Sequence, residues 1–157
     1  MRAFLRVELR GTDGGLITVR EAHNSVLRSG AGLLANMFAM KSTGITHMAV
    51  GTSDTPETQD FTTTALTNPT EVPITPDAFQ IDAPDPVKRV VRVRVQGTVP
   101  AAANIGTVRE AGLVAHNGAT VSLYNRVVFA PIDKAAGHEL TLFWEVGFPF
   151  GDLQWLL

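Results

Sequence analysis

The chain contains no cysteine, which excludes disulfide frameworks, thiolate zinc sites and a cysteine nucleophile. It also lacks an excess of either charge. Lys and Arg number 13 against 15 Asp and Glu, a formal net charge of −2. The two signs are interspersed, so there is no basic stripe of the kind that phosphate-backbone binding needs, and nucleic acid is not an expected partner. No run approaches the ~18 apolar residues of a membrane span. The N-terminal MRAFLRVELR breaks its apolar residues with charges and so lacks the continuous core of a secretion signal. A soluble chain made in the cytoplasm, with no membrane partner, is expected. Aromatic residues are few, with one Tyr and two Trp. That weighs against a small glycan-binding β-module, which needs an exposed aromatic platform: Trp144 falls on the apolar face of a strand pattern and Tyr124 stands alone.

Motifs of known chemistry are missing too. There is no GxSxG elbow, Walker loop or dinucleotide fingerprint. His23, His47, His116 and His138 are each isolated in sequence, without HExxH or HxH spacing, so no metal or cofactor is expected. Gly51-Thr52-Ser53-Asp54 has too few acids for a calcium loop. Asp54, Glu57, Asp60, Asp77, Asp82 and Asp85 could supply a glycosidase carboxylate pair. Acidic punctuation of a solvated loop explains them more economically, and no enzymatic activity is expected.

What is present is β patterning over a length, 157 residues, that fits one domain with a substantial core. Ala3, Leu5, Val7 and Leu9 alternate with Phe4, Arg6 and Glu8, and Gly11 to Gly15 is a turn cluster before Leu16 to Val19. The spacing predicts an N-terminal hairpin over residues 1–20. Val26, Leu33, Leu34, Met37, Phe38 and Met40 recur at helical spacing, predicting one helix from about Ser25 to Met40 with a stop at Gly44. Gly30 and Gly32 weaken that helix by about 1 kcal/mol each, so tertiary contacts must hold it, with a close neighbour as one reason for the glycines. Ile45 to Val50 reads as a short strand.

Residues 52–86 hold most of the prolines and many threonines. A loop of that length is usually functional or laid on a partner, and an extended arm is expected; the other reading packs it on its own domain through Phe61, Phe79 and Ile81. Lys88 to Gln96 alternates Val91, Val93 and Val95 with Arg92, Arg94 and Gln96. Arg92 and Arg94 are candidate partner contacts, able to clamp a carboxylate or phosphate; the competing role is cross-strand pairing with Glu110 or Glu145. From Gly106 to Phe129, two β-rich runs flank His116-Asn117-Gly118, which predicts a hairpin with Asn117 and Gly118 at the centre of a primed turn. Val121, Leu123, Val127 and Phe129 fall on one side of the returning run, and Thr120, Ser122, Tyr124 and Arg126 on the other. Arg109 and Glu110 sit side by side in the outgoing run, so one of them faces inward, marks a bulge or faces another subunit. Glu139 to Phe148 is a strong strand pattern. Burying the Trp of the tail, residues 151–157, is worth on the order of 5 kcal/mol before ordering costs, so the tail either folds back on its own sheet or docks on another subunit, with Trp155, Leu156 and Leu157 as candidate partner contacts. The sum is a mainly antiparallel β-sandwich with one packed α-helix and a long Pro/Thr-rich arm, in a single domain over 1–157.

Two of these stretches carry a resemblance. Ile45-Thr46-His47-Met48-Ala49-Val50-Gly51 and Val108-Arg109-Glu110-Ala111-Gly112-Leu113-Val114, with a Val/Arg strand and Val99-Pro100 between them, resemble the "I-T-x-M-A-V-G" and "R-E-x-G-L" motifs of tailed-bacteriophage tail-fibre attachment domains. They are similar also to small phage virion proteins that close on an aromatic, Thr-containing strand, here Thr141 to Val146. The resemblance spans roughly Ser25 to Phe148. It implies a non-catalytic, β-rich domain with one helix, located in the virion and fixed to tail, baseplate or fibre; with the long arm and the apolar tail, the expectation is a homo-oligomer with other virion proteins as partners. Capsid decoration is the alternative address. The sequence departs from the pattern in its added N-terminal hairpin, its longer Pro-rich segment after Gly51 and the lack of a fibre shaft after Leu157, which favours an adaptor over a receptor binder.

Overall fold

The computed structural model describes residues 2–152 and is mainly β, with two antiparallel sheets packed face to face. The tail residues Trp155, Leu156 and Leu157 lie outside the described residues. The first sheet contains β1 (Arg2–Arg10), β2 (Leu16–His23), β6 (Gln80–Ile81), β7 (Val90–Val99) and β11 (Glu139–Pro149), in the order β2-β1-β11-β7-β6. The second contains β3 (Ser25–Val26), β4 (His47–Gly51), β5 (Thr70–Pro73), β8 (Gly106–Asn117) and β10 (Asn125–Lys134), in the order β3-β10-β8-β4-β5, with β9 (Thr120–Leu123) paired to the end of β8. Period-2 alternation decides which side chains meet between them. Leu5 and Val7 from β1, Leu140, Leu142 and Trp144 from β11, Met48 from β4 and Val127 from β10 form one core.

The N-terminal hairpin is no appendage. β1 lies between β2 and β11, pairing with β11 from Arg2↔Gly147 to Arg10↔Glu139, and its inward residues Ala3, Leu5, Val7 and Leu9 are all buried. On its outer face Arg6 and Arg10, two residues either side of Glu8, both reach that carboxylate, at 3.1 and 2.7 Å. The Arg6 hydrogen bond, reinforced by Arg10, holds the Glu8 carboxyl below its ordinary value of 4.5 against the opposing effect of burial. A depressed folded-state pKa contributes stability above the unfolded value that is lost as pH falls through the folded one. The melting temperature should therefore drop more steeply below about pH 4.5 in the parent protein than in Glu8→Gln, as calorimetry at stepped pH would measure.

The helix is shorter than its pattern suggests. α1 spans Arg28–Phe38, behind an N-cap, Leu27, that makes no side-chain cap. Ser25 and Val26, the expected start, are taken up by pairing with β10 at Arg126 and Asn125. Its end is set before Gly44: Met40 adopts a left-handed φ of 58°, and the Lys41 amide donates to the Asn36 carbonyl at 2.7 Å, a closing bond normally built on glycine. Leu33 lies in the sandwich core, and Leu34 and Met37 pack against it.

Residues 52–86 do not form an arm. β5 pairs with β4, β6 pairs with β7, and Leu66 and Ile74 are buried. The segment connects the two sheets and covers the outer face of β8, where Leu66 meets Leu27, Ala49, Val114 and Leu123. That roof explains why β8 is buried on both faces from Glu110 to Ala115, a continuous run where one-sided alternation would be the rule for a half-solvated strand.

Candidate functional site

Among the described residues three places gather functional groups: an ion network beneath the 52–67 segment, an apolar groove between the sheets, and a histidine cluster at the end of β8. The first begins at Arg109 and Glu110. The β8–β10 register shifts between Val128 and Ile132, opposite Glu110 and Val108, so the two charges sit across from a bulge in β10, and both reach the covering segment. Arg109 lies 3.9 Å from Asp54. Glu110, 1% exposed, takes the Arg126 Nε at 2.6 Å and the Thr67 amide at 2.7 Å. Gly51 leaves room for that carboxylate, since a Cβ there would overlap Glu110 Oε1. The Arg126 guanidinium also donates to the Thr55 carbonyl at 2.7 Å, Glu57 at 2.9 Å and the Ser53 carbonyl at 3.3 Å. Burial opposes the Arg126 charge, but the bonds to Glu110 and Glu57 outweigh it and raise its pKa. With donors and acceptors engaged on several sides, the network ties the 53–67 segment to the sheet.

Three further acids of the 52–86 segment are likewise engaged. Asp82 lies 2.7 Å from Arg94, Asp85 lies 3.5 Å from Arg92, and Asp60 lies 3.7 Å from Arg28. These pairs define what Arg92 and Arg94 do: Arg92 also meets Glu145 across the β7–β11 ladder at 3.3 Å, as cross-strand pairing requires, whereas Glu110 belongs to Arg126. The Arg94 side chain remains half exposed on a concavity shared with Phe4, Arg6, Glu145 and Gln96.

The groove lies where the sandwich opens between β5 and β6. It has a volume of about 530 Å³ and is lined by Met37, Ile45, Ile74, Phe79, Ile81, Val93 and Phe148, with Tyr124 at its inner wall. Burial pushes the Tyr124 phenol up to about 12, so it stays neutral and the lining carries no charge at physiological pH. Tyr124 belongs to the core and not to the solvated face that alternation assigned it, because the strand bulges there: the Tyr124 amide donates to the Leu113 carbonyl at 2.8 Å, and the Asn125 side chain accepts from the Leu113 amide at 2.8 Å. Some apolar side chains stand in solvent, one of them in the groove lining. Ile81 is 71% exposed, and beyond Met37 in the chain Phe38 and Met40 are 94% and 92% exposed.

Sequence spacing missed the third place. His47 on β4, Glu71 on β5 and His116 on β8 lie together, each with a possible ligand atom within 4.8 Å of the others. Residues from three strands separated by a long connection leave no local motif, and only the register brings them to one face. His23 and His138 do not join them.

The two stretches that carry the tail-fibre resemblance are neighbours in space. β4 and β8 pair antiparallel with Met48 opposite Leu113, Ala49 opposite Gly112 and Gly51 opposite Glu110, so the motif residues form one joint. In comparisons with protein-family models, curated proteins and solved structures, nothing matches the chain.

Proposed function

We propose that the chain is a non-enzymatic structural component of a tailed-phage particle, a tail, baseplate or fibre-attachment adaptor that acts through contacts between subunits. The observation that carries this reading is the uncharged groove with Ile81 exposed in its lining, together with Phe38 and Met40 exposed just beyond the lining residue Met37 in the chain. Full burial of a side chain such as Phe38 or Met40 is worth about 1.5–3 kcal/mol, and Met40 stands in solvent despite a left-handed backbone that disfavours a side chain. Exposed apolar surface grouped around a concavity is the mark of an interaction site. The occupant that fits its chemistry is the Trp155-Leu156-Leu157 stretch of a second copy, which offers three apolar side chains to a lining without charge. The joint between the two resemblance motifs supports the same reading, since strand pairing, the room Gly51 leaves for Glu110 and the Arg126–Glu110 pair give its residues a packing role.

Sedimentation of the full chain tests the assembly. The parent protein should form an oligomer at micromolar concentration, and both removal of residues 153–157 and the groove variant Ile81→Glu should shift it to monomer while leaving the far-ultraviolet spectrum unchanged. A monomeric parent protein, or an oligomer indifferent to both changes, overturns the trans-docked tail. Mass spectrometry of purified particles tests the address: the chain should be present at fixed copy number, and its absence from particles overturns the virion role.

A further inference from the structure

The geometry points to a divalent transition-metal site formed by His47, Glu71 and His116, with zinc as the ion its ligand set suits. The site is separate from the groove and does not depend on the proposed assembly. β4 pairs with β8 at His47↔Val114 and with β5 at Ala49↔Glu71, and residues opposite or two apart share a face. His47, Glu71 and His116 therefore all project from the outer face of the second sheet, each from a different strand. Two imidazoles and one carboxylate are the ligand set of open, three-residue zinc centres, in which water completes the tetrahedron.

Three details go beyond mere grouping. The two imidazole rings lie 4.2 Å apart between centroids, and Glu71 Oε2 is 2.6 Å from His116 Nε2. Two rings and one carboxylate thus offer their ligand atoms within 4.8 Å of one another. A single divalent ion serves all three. The ion would displace the proton now shared by His116 and Glu71 and open that contact to roughly 3.3 Å, the edge of a tetrahedron with ligand bonds of about 2.0–2.1 Å. Glu71 is on the edge strand and its side chain is partly exposed, so it has freedom to make that adjustment.

The third detail is a supporting hydroxyl. Thr46 Oγ1 accepts from the His116 amide at 2.9 Å, lies 3.4 Å from the Val114 carbonyl to which it donates, and lies 2.8 Å from His47 Nδ1. A Thr46 hydroxyl that gives its proton to Val114 can accept the Nδ1 proton of His47, the tautomer that leaves that ring's lone pair on Nε2. Orientation of a ligating imidazole through its other nitrogen is the usual outer support of a metal site. Thr46 ties His47 and the backbone of His116 to one atom, so both ligands are positioned before any ion arrives. Bound there, zinc would link β5 to β8 across β4 and so pin the edge of the sheet.

Titration of the tag-free full-length protein with zinc chloride by calorimetry, at pH 7.5, should show one ion per chain. At a free zinc concentration one hundred times the dissociation constant the melting temperature should rise by about 5–10 °C. His47→Gln, His116→Gln and Glu71→Gln should each lose the stoichiometric binding and the thermal shift, His23→Gln should keep both, and Thr46→Val should bind about 10–100-fold more weakly. Cobalt chloride added to the parent protein gives a readout that needs no variant, since a tetrahedral site develops visible d–d absorption. A parent protein that binds neither ion, or His47→Gln and His116→Gln variants that bind zinc as the parent does, overturns the site and leaves His116 and Glu71 as a simple hydrogen-bonded pair.

Discussion

Replacing Arg126 with leucine is expected to lower the free energy of unfolding by about 3–5 kcal/mol, the cost of stranding a buried charge when its partner is removed. The size follows from what the guanidinium leaves behind. Glu110, with a side chain 1% exposed, and Glu57, at 9%, would both keep their carboxylates beneath the 52–67 segment without a counter-charge, and the Thr55 carbonyl would lose its donor. Urea unfolding measures the loss. Limited proteolysis gives a second signature, because the network is what fastens residues 53–67 to the sheet: Arg126→Leu should be cut there long before the parent protein. Glu110→Gln should cost less, about 1–3 kcal/mol, since an amide oxygen can still accept from the Thr67 amide. If both variants unfold at the parent's denaturant concentration, the ion network does not hold the segment.

The same network shows how far the sequence could be read. Alternation located β1, β7 and β11 closely, because each is a regular strand with one inward face: Leu140, Leu142, Trp144 and Val146 are all buried as their period requires. It failed where a strand changes face. Val108 and Ala111 both lie in the sandwich core, which period 2 forbids without a bulge, and the adjacent charges Arg109 and Glu110 were its visible sign. Arg126 does face away from the core as alternation implies, yet it is buried, because a roof supplied by residues more than fifty positions earlier cannot be seen in a local pattern. The hairpin was found but its turn is displaced by one residue: Asn117 pairs with Thr120, leaving Gly118 and Ala119 as the central residues with a positive φ of 61° at Gly118, the II′ arrangement in place of I′. Of the candidate contacts, Arg92 and Arg94 proved to be tied into ion pairs, while His47 and His116 met through sheet register, a three-dimensional relation for which the chain carries no spacing rule.

Two glycines in α1, a single residue apart, should respond to the same substitution with opposite signs. Gly32 is exposed and nothing lies within 4 Å of where its Cβ would stand, so Gly32→Ala should stabilise the protein by about 0.8–1 kcal/mol, the intrinsic helix preference of alanine over glycine. Gly30 faces the β9–β10 junction. There the Leu27 amide donates to the Tyr124 carbonyl at 3.2 Å and the Ser29 hydroxyl donates to the Leu123 carbonyl at 2.6 Å, and a Cβ on Gly30 would overlap the Tyr124 carbonyl oxygen. Relief cannot come from a side chain turning aside, because the obstacle is backbone fixed by the bulge. Gly30→Ala must push the first turn of α1 off the sheet, break those two bonds and withdraw Leu33 from the core, and a loss of about 3 kcal/mol is expected, at the upper end of overpacking effects. Thermal unfolding of the two variants in one buffer measures the contrast. Equal effects of either sign would mean that α1 does not seat on Tyr124, whereas a gain at Gly32 beside a large loss at Gly30 would mark close approach, and not helix breaking, as the reason a glycine stands at position 30.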